Sequence, residues 1–254
     1  MPIAGQSAPP APAEWFASPL GRYLLECEHR YVDQTVADVF GFNALQLGLP
    51  GHDFLRASRI PLKCGIAPSG PVALRAEFRD LPIASNSIDL LLLPHALEFS
   101  EHPHQILREV QRVLMPEGHA VIACFNPWSL WGLRRLFSRN AYPWRGRFIN
   151  LPRLKDWLAL LELEIVAGRT GCYLPPCAQD KWIERFRFME AAGDRWWPIA
   201  GGVYFLHVVK RVRGMRVIMP MWREQLARKR NLAVVTKASD SDEPIAARES
   251  LKSQ

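Results

Sequence analysis

The chain has 254 residues, of which 48% are hydrophobic and 22% charged, a composition that excludes fibrous, collagenous and wholly disordered proteins. Its formal net charge is +7, but the first 207 residues carry 21 basic and 20 acidic side chains, whereas the last 47 carry 11 and 5. The excess lies mainly in the tail, so charge alone does not indicate a folded nucleic-acid-binding domain.

The first half of the chain predicts a lead-in, a helix and several strands. Residues 1–15 are rich in Ala and Pro and lack Lys and Arg, which predicts a disordered lead-in and not a secretory signal. Apolar side chains at three- and four-residue spacing predict a helix over 19–40. The run Ala44–Gly48 predicts a buried strand that ends in a tight turn, and further strands are predicted at 57–62 and 71–78.

A strand–helix–strand unit follows. The apolar run at 88–93 predicts a strand buried on both faces, and the stripe Ile106, Leu107, Val110, Val113 and Leu114 predicts a helix over 103–114. A second buried strand is predicted at 120–125. Such a crossover favours a parallel sheet covered by helices.

The rest of the chain completes one predicted domain, over residues 16–212. It contains a helix at 151–161, a strand at 163–168, an insert at 172–198 and a final strand at 203–209. Residues 213–254 are predicted to form a basic and largely disordered tail. No apolar stretch reaches the length of a membrane helix, and we expect a cytoplasmic protein.

Three motifs in this order resemble the type 11 methyltransferase domain, a family of class I S-adenosylmethionine-dependent enzymes. They are Asp80-Leu81-Pro82, Ser87-Ile88-Asp89-Leu90-Leu91, and the run Arg112-Val113-Leu114-Met115-Pro116-Glu117-Gly118. The chain is also similar to an uncharacterised bacterial branch that shares Phe125-Asn126-Pro127. The resemblance implies a Rossmann-like α/β fold, with a mostly parallel seven-stranded sheet and helices on both faces.

The resemblance further implies that S-adenosylmethionine binds at the carboxyl ends of the strands. Carried over position by position, Gly48 and Gly51 form the Gly-rich turn after strand one. Asp80 and Leu81 contact adenine, and His95 ends strand four beside the methionine part. The implied activity is methyl transfer to an unidentified acceptor.

The sequence departs from the family pattern at three points. The turn Gly48-Leu49-Pro50-Gly51 lacks one of the usual three glycines, and no acidic residue between Phe54 and Ala76 matches the one that holds ribose in most members. Only eight residues separate Gly48 from the strand predicted at Ala57, which is short for a parallel crossover. A catalytically silent module that contacts an anionic membrane surface or RNA is therefore the alternative.

Catalytic residues cannot be assigned from the sequence. Proximity can provide most of the acceleration of methyl transfer, so no triad is required. His95, Glu98, His102 and His104 follow strand four, and one of them could serve as a general base, although each taken singly fits a helix cap or a solvated side chain better. We predict no metal site, and the five cysteines, without a CxxC pair, predict reduced thiols.

A basic and aromatic segment spans residues 128–148. From Gly118 to Lys155 there are seven basic residues and no acidic one. We interpret the segment, in order of preference, as a lid over the acceptor pocket, as a peripheral membrane contact, or as an RNA-binding face. By analogy with the family, the acceptor is predicted to be a small molecule or lipid-like, and Trp128 is expected to pack in the core.

Overall fold

The computed structural model describes residues 12–138, 141–177, 179–197 and 199–211. These contain seven strands and seven helices. The strands are β1 (Asn43–Leu47), β2 (Leu62–Ala67), β3 (Leu74–Arg75), β4 (Ile88–Pro94), β5 (Leu114–Phe125), β6 (Leu163–Gly171) and β7 (Val203–Lys210). The helices are α1 (Pro12–Ala17), α2 (Pro19–Val36), α3 (Pro103–Val113), α4 (Leu130–Phe137), α5 (Leu151–Leu160), α6 (Asp180–Arg185) and α7 (Phe188–Trp196).

The strands form one mixed sheet in the order β3-β2-β1-β4-β5-β7-β6. β1 to β5 are mutually parallel, and β7 lies antiparallel between β5 and β6. The strand order reverses between β1 and β4, which is where doubly wound sheets bind ligands at their carboxyl edge.

Both faces of the central strand β4 are covered, as its apolar run predicts. Leu91 and Leu93 belong to a core cluster with α3 and α5, whereas Leu90 and Leu92 belong to a cluster with α2. Because successive strand residues point to opposite faces, a strand between two helical layers is apolar along most of its length. The exception in β4 is the half-buried Asp89, which accepts the N–H groups of Phe42 and Asn43.

The predicted strand–helix–strand unit is confirmed, with one change of boundary. Pro103 occupies the start of α3, where its missing N–H costs no helical hydrogen bond, and the predicted stripe from Ile106 to Val113 is buried. β5, however, begins at Leu114 and contains an irregularity in its pairing with β4. Lys210 fixes this junction because its Nζ donates to the Leu114 carbonyl at 2.7 Å and to two further acceptors.

The prediction of a strand at 57–62 is wrong. The chain runs from β1 to β2 through turns without a helix in the described structure, and β2 starts only at Leu62. Phe54, Leu55 and Ile60 are buried against α2 from this connection, so their apolar pattern reflects loop packing and not a strand. The strand predicted at 71–78 is reduced to the two residues of β3, at the edge of the sheet.

The lead-in predicted for residues 1–15 extends too far. Residues 12–15 belong to α1, because Trp15 and Phe16 bury their rings against Tyr142. Residues 1–11 and the predicted tail at 213–254 lie outside the described residues. Among the residues that are described, no helix combines the length and hydropathy needed to cross a membrane.

Candidate functional site

A cavity of about 600 Å³ opens at the carboxyl ends of β1, β2 and β4. Its walls come from the loops that follow β1 to β4, with contributions from α1 and from the segment after α4. The lining includes Pro12, Gly48, Leu49, Ala67, Ser69, Glu77, Phe78, Arg79, Pro94, His95, Ala96, Phe99, His102, Ile106, Tyr142 and Arg145. Its volume falls in the range of small-molecule and cofactor sites.

Gly48 forms the inner edge of the cavity. Its φ of +94° is a conformation that L side chains rarely adopt, and a Cβ there would lie 3.5–3.9 Å from Pro94, Phe78 and Ala96. All three neighbours line the cavity, so the absent side chain leaves space for a ligand.

Gln46 holds this turn from inside the fold. Its Nε2 donates to the carbonyls of Gly48 at 3.1 Å and His52 at 2.8 Å, and its Oε1 accepts from the Phe54 N–H at 3.0 Å. A buried amide in a strand could have indicated such a role, but its partners lie in a loop whose path the sequence does not reveal. No helix lies between β1 and β2 in the described structure, and the hydrogen bonds of Gln46 shape the turn.

The acidic residue that the family uses after strand two is absent here, as the sequence indicates. The residues at the end of β2 that line the cavity are Ala67, Pro68 and Ser69. After β2, the next acidic residue along the chain that lines the cavity is Glu77. It follows β3 and precedes Phe78, whose ring is half-buried.

Asp80 and Leu81 do not line the cavity. The Asp80 N–H donates to the Glu77 carbonyl, which closes a turn, and the Asp80 side chain is exposed outside the cavity. Leu81 is buried in the core, and its N–H donates to Glu109 Oε2 at 2.8 Å. Of the two carboxylates at this turn, Glu77 lines the cavity and Asp80 does not.

Gly51, the second glycine of the predicted Gly-rich turn, lines a neighbouring cavity of about 440 Å³. The structure thus places two of the five predicted residues, Gly48 and His95, at the main cavity.

His95 lies in a buried ionic cluster behind the cavity wall. Its Nδ1 donates to Glu98 Oε1 at 3.0 Å, and its Nε2 donates to Oε1 of Glu28 on α2. All three side chains are inaccessible to solvent, and the His95 ring stacks on Phe125 with ring centroids 4.0 Å apart. We name these residues the Glu28–His95–Glu98 cluster.

The cluster keeps its histidine charged. Burial by itself lowers the pKa of His95, but the charges and hydrogen bonds of Glu28 and Glu98 together raise it to about 10. Glu98 Oε1 also accepts the Phe125 N–H at 2.6 Å, which ties the cluster to the end of β5. The cluster joins α2, β4 and β5 at the edge that carries the cavity.

Among the four suggested general bases, His102 has an exposed side chain at the cavity. Glu98 is buried in the cluster, and His95 reaches the cavity without an accessible side chain. His104 contacts Trp157 at 3.8 Å between ring centroids and lines a separate small pocket. His102 is therefore the histidine of this group that a bound molecule could touch.

The basic aromatic segment is divided between core and surface. Trp131, Tyr142 and Trp144 are buried, and Trp131 Nε1 donates to the Leu174 carbonyl at 2.9 Å. The expectation for Trp128 is wrong, because its side chain is exposed. Tyr142 stacks on Phe99 with centroids 4.9 Å apart, and both line the cavity.

The family model for a methyltransferase domain matches residues 61–122. The chain is 34% identical over 169 residues to the uncharacterized protein YafS of Escherichia coli (strain K12), which covers 65% of this chain and 70% of YafS. It is 33% identical over 90 residues to the demethylmenaquinone methyltransferase of Chlamydia trachomatis serovar D, covering 33% of this chain and 38% of that protein. The chain belongs to the S-adenosylmethionine-dependent methyltransferases. The family resemblance is thereby confirmed.

Solved methyltransferases share the fold of this chain. S-adenosylmethionine-dependent enzymes of Thermotoga maritima and Archaeoglobus fulgidus superpose with TM-scores of 0.60 and 0.53, at 16% and 15% identity. They cover 78% and 74% of this chain and 94% of their own chains in both cases. At this identity the likeness establishes the fold alone, and it confirms the predicted Rossmann-like α/β sheet.

Membership of the family makes S-adenosylmethionine the cofactor of this methyltransferase, and the cavity fits it. The space beside Gly48 that a Cβ would enter lies at the switch point of the sheet, and Glu77 and Ser69 offer hydrogen-bonding groups on the β2–β3 side.

Proposed function

We propose that this methyltransferase binds S-adenosylmethionine in the cavity beside Gly48 and transfers its methyl group to a small or hydrophobic acceptor. The observation that carries the proposal is the cavity itself, an open space of about 600 Å³ at the switch point with glycine where a side chain would intrude. A binding module without catalytic function would not need this space.

The nucleoside half of the cofactor is assigned to the side of the cavity formed after β2 and β3. Glu77 there is the carboxylate available to accept from a hydroxyl or an exocyclic amine, and the Phe78 ring offers an apolar face. Ser69 adds a hydroxyl at the end of β2. In this arrangement Glu77 takes over the role predicted for Asp80 and compensates for the acid missing after strand two.

The acceptor side is assigned to the wall formed by Phe99, Tyr142 and Ile106. The stacked rings of Phe99 and Tyr142 present apolar surface, which favours a small or hydrophobic acceptor. Burial, followed by the charges of Glu28 and Glu98, raises the pKa of Tyr142, so its hydroxyl stays protonated and can only donate or accept a hydrogen bond.

The transfer itself requires alignment and exclusion of water. When bound, S-adenosylmethionine supplies a methyl group on a sulfonium, whose carbon–sulfur bond breaks as the bond to the acceptor forms. The stacked Phe99 and Tyr142 rings cover one side of the acceptor with apolar surface, and holding the reactants together can contribute roughly 7–11 kcal/mol. For a hydroxyl acceptor, His102 and its neighbour Glu101 are exposed groups at the cavity that can receive the proton.

Relatives named for different acceptors do not define the acceptor here. One is a demethylmenaquinone methyltransferase, and another is the malonyl-[acyl-carrier protein] O-methyltransferase of Methylovorus sp. (strain MP688), 33% identical over 87 residues. The latter match covers 34% of this chain and 29% of that protein, so this chain spans only about a third of each named enzyme. The cavity wall therefore carries the proposal for the acceptor.

Calorimetry with S-adenosylhomocysteine tests the cofactor site. The matched variants are Glu77→Gln and Asp80→Asn, which remove one charge each from either end of the same turn. Loss of a hydrogen bond to a charged group costs about 1.5–3 kcal/mol, so Glu77→Gln should weaken binding roughly 10- to 150-fold while Asp80→Asn binds as the wild type does. The reverse pattern would place adenine at Asp80, and no binding by the wild type at millimolar ligand would favour the silent module.

A further inference from the structure

The helix α4 exposes an apolar face to solvent. Leu130, Leu133, Leu136 and Phe137 recur at three- and four-residue spacing and are all exposed, whereas Trp131 on the opposite side is buried. A surface helix normally shows the reverse distribution, with its apolar stripe toward the core. We name these four exposed residues the α4 apolar face.

A second exposed apolar group adjoins the start of α4. Asn126 Nδ2 donates to the Ile199 carbonyl at 2.8 Å, and Asn126 Oδ1 accepts the Trp128 N–H at 3.0 Å. The side-chain amide of Asn126 therefore links the backbones of Ile199 and Trp128, whose side chains are exposed. The apolar surface extends from α4 onto the segment that precedes β7.

Basic side chains border this surface. Arg134 and Arg135 lie on α4 beside the apolar face. Their guanidinium groups donate to the carbonyls of Pro176 and Gly146, which fixes their position without neutralising their charge. Arg145 and Arg147 follow on the same acid-free segment and are exposed. Phe137 and Trp128 have rings that could stack on bases, but the other four exposed side chains, Leu130, Leu133, Leu136 and Ile199, are aliphatic. An aliphatic majority with a basic border suits acyl chains beneath anionic headgroups better than RNA.

The surface lies at the same edge of the sheet as the cavity. α4 follows the carboxyl end of β5, and the segment with Ile199 belongs to the insert after β6, which runs in the same direction as β5. We propose that the α4 apolar face, with Trp128 and Ile199, docks this protein on an anionic membrane surface. Docking requires neither the cofactor nor the acceptor, so it stands apart from the proposed function.

Vesicle co-sedimentation of the full chain tests the proposal. The probe is phosphatidylcholine vesicles containing about a third phosphatidylglycerol, compared with pure phosphatidylcholine at low and high salt. The variant Leu133→Ser/Phe137→Ser removes two exposed side chains, and the control Phe42→Ser/Leu160→Ser removes two equally large ones elsewhere. Phe137 and Phe42 are 83% and 76% exposed, and Leu133 and Leu160 are 53% and 82% exposed.

We expect the wild type and the control to bind anionic vesicles equally, and the Leu133→Ser/Phe137→Ser variant to bind at least about tenfold more weakly. Equal binding by both double variants would assign the affinity to the basic tail and overturn the proposal. Binding of the wild type to RNA but not to vesicles would also overturn it. So would a wild-type protein that does not bind vesicles and forms a dimer, if the Leu133→Ser/Phe137→Ser variant is a monomer. Unchanged melting temperatures verify that the variants fold.

Discussion

The buried Glu28–His95–Glu98 cluster predicts how the stability of this protein depends on pH. His95 has its pKa raised from 6.5 to about 10 in the folded state, because two carboxylates outweigh the opposing effect of burial. The folded protein therefore holds a proton that the unfolded chain releases near pH 6.5. The contribution of this bound proton to the free energy of unfolding has its full value below pH 6.5 and is lost as the pH rises toward 10.

The size of the effect follows from the shift. Each pH unit between the two pKa values removes about 1.4 kcal/mol of unfolding free energy, so raising the pH from about 7 to about 8.5 should cost roughly 2 kcal/mol. Urea unfolding at the two pH values measures the loss. The control is the triple variant Glu28→Gln/His95→Gln/Glu98→Gln, which removes every ionisable group of the cluster and should lose about 2 kcal/mol less than the wild type.

Equal pH dependence in the wild type and the triple variant would refute this reasoning. If the triple variant does not fold, nitrogen chemical shifts of the His95 ring decide the question in the wild type. An imidazolium signal for both ring nitrogens at pH 8.5 is expected, and a neutral ring at that pH would contradict the charge assigned to the cluster.

Two further substitutions test other parts of the structure. Gly48→Ala adds a Cβ toward the cavity at a residue whose φ is +94°, so it should lower the free energy of unfolding, measured in urea, by about 1–2 kcal/mol. It should also weaken S-adenosylhomocysteine binding in calorimetry, and unchanged binding would contradict the proposed position of the cofactor. Lys210→Met removes a cation that donates to three acceptors around the α3–β5 junction. It should lower the free energy of unfolding by about 2–4 kcal/mol while ligand affinity stays the same. A loss below about 1 kcal/mol would show that Lys210 does not fix this junction.

Periodicity in the sequence predicts the centre of the fold well. β4 ends at Pro94, α3 begins at Pro103, and β4, α3 and β5 pack through one continuous core, so local pattern and tertiary environment agree. The connection from β1 to β2 follows a different rule. Phe54, Leu55 and Ile60 are apolar because they cover α2 from a loop, and a short apolar run does not distinguish that role from a strand.

The site is less predictable than the fold because it depends on contacts between distant segments. His95 pairs with Glu28, which lies 67 residues earlier on a helix that the sequence shows only as amphipathic. Glu77 and Asp80 are separated by one turn, and the motif identifies the turn without indicating which carboxylate faces inward. Three-dimensional placement alone distinguishes the two.

The helix α1 connects the cavity wall to segments that lie far apart in the sequence. Pro12 lines the cavity, while Trp15 and Phe16 rest on Tyr142, more than a hundred positions later in the chain. α1 is thus held at the cavity from three parts of the chain, because its aromatic rings also pack with α2 and His52. Because α1 forms part of the cavity wall, a bound ligand and this helix share one surface. Binding of the ligand and packing of α1 therefore stabilise each other.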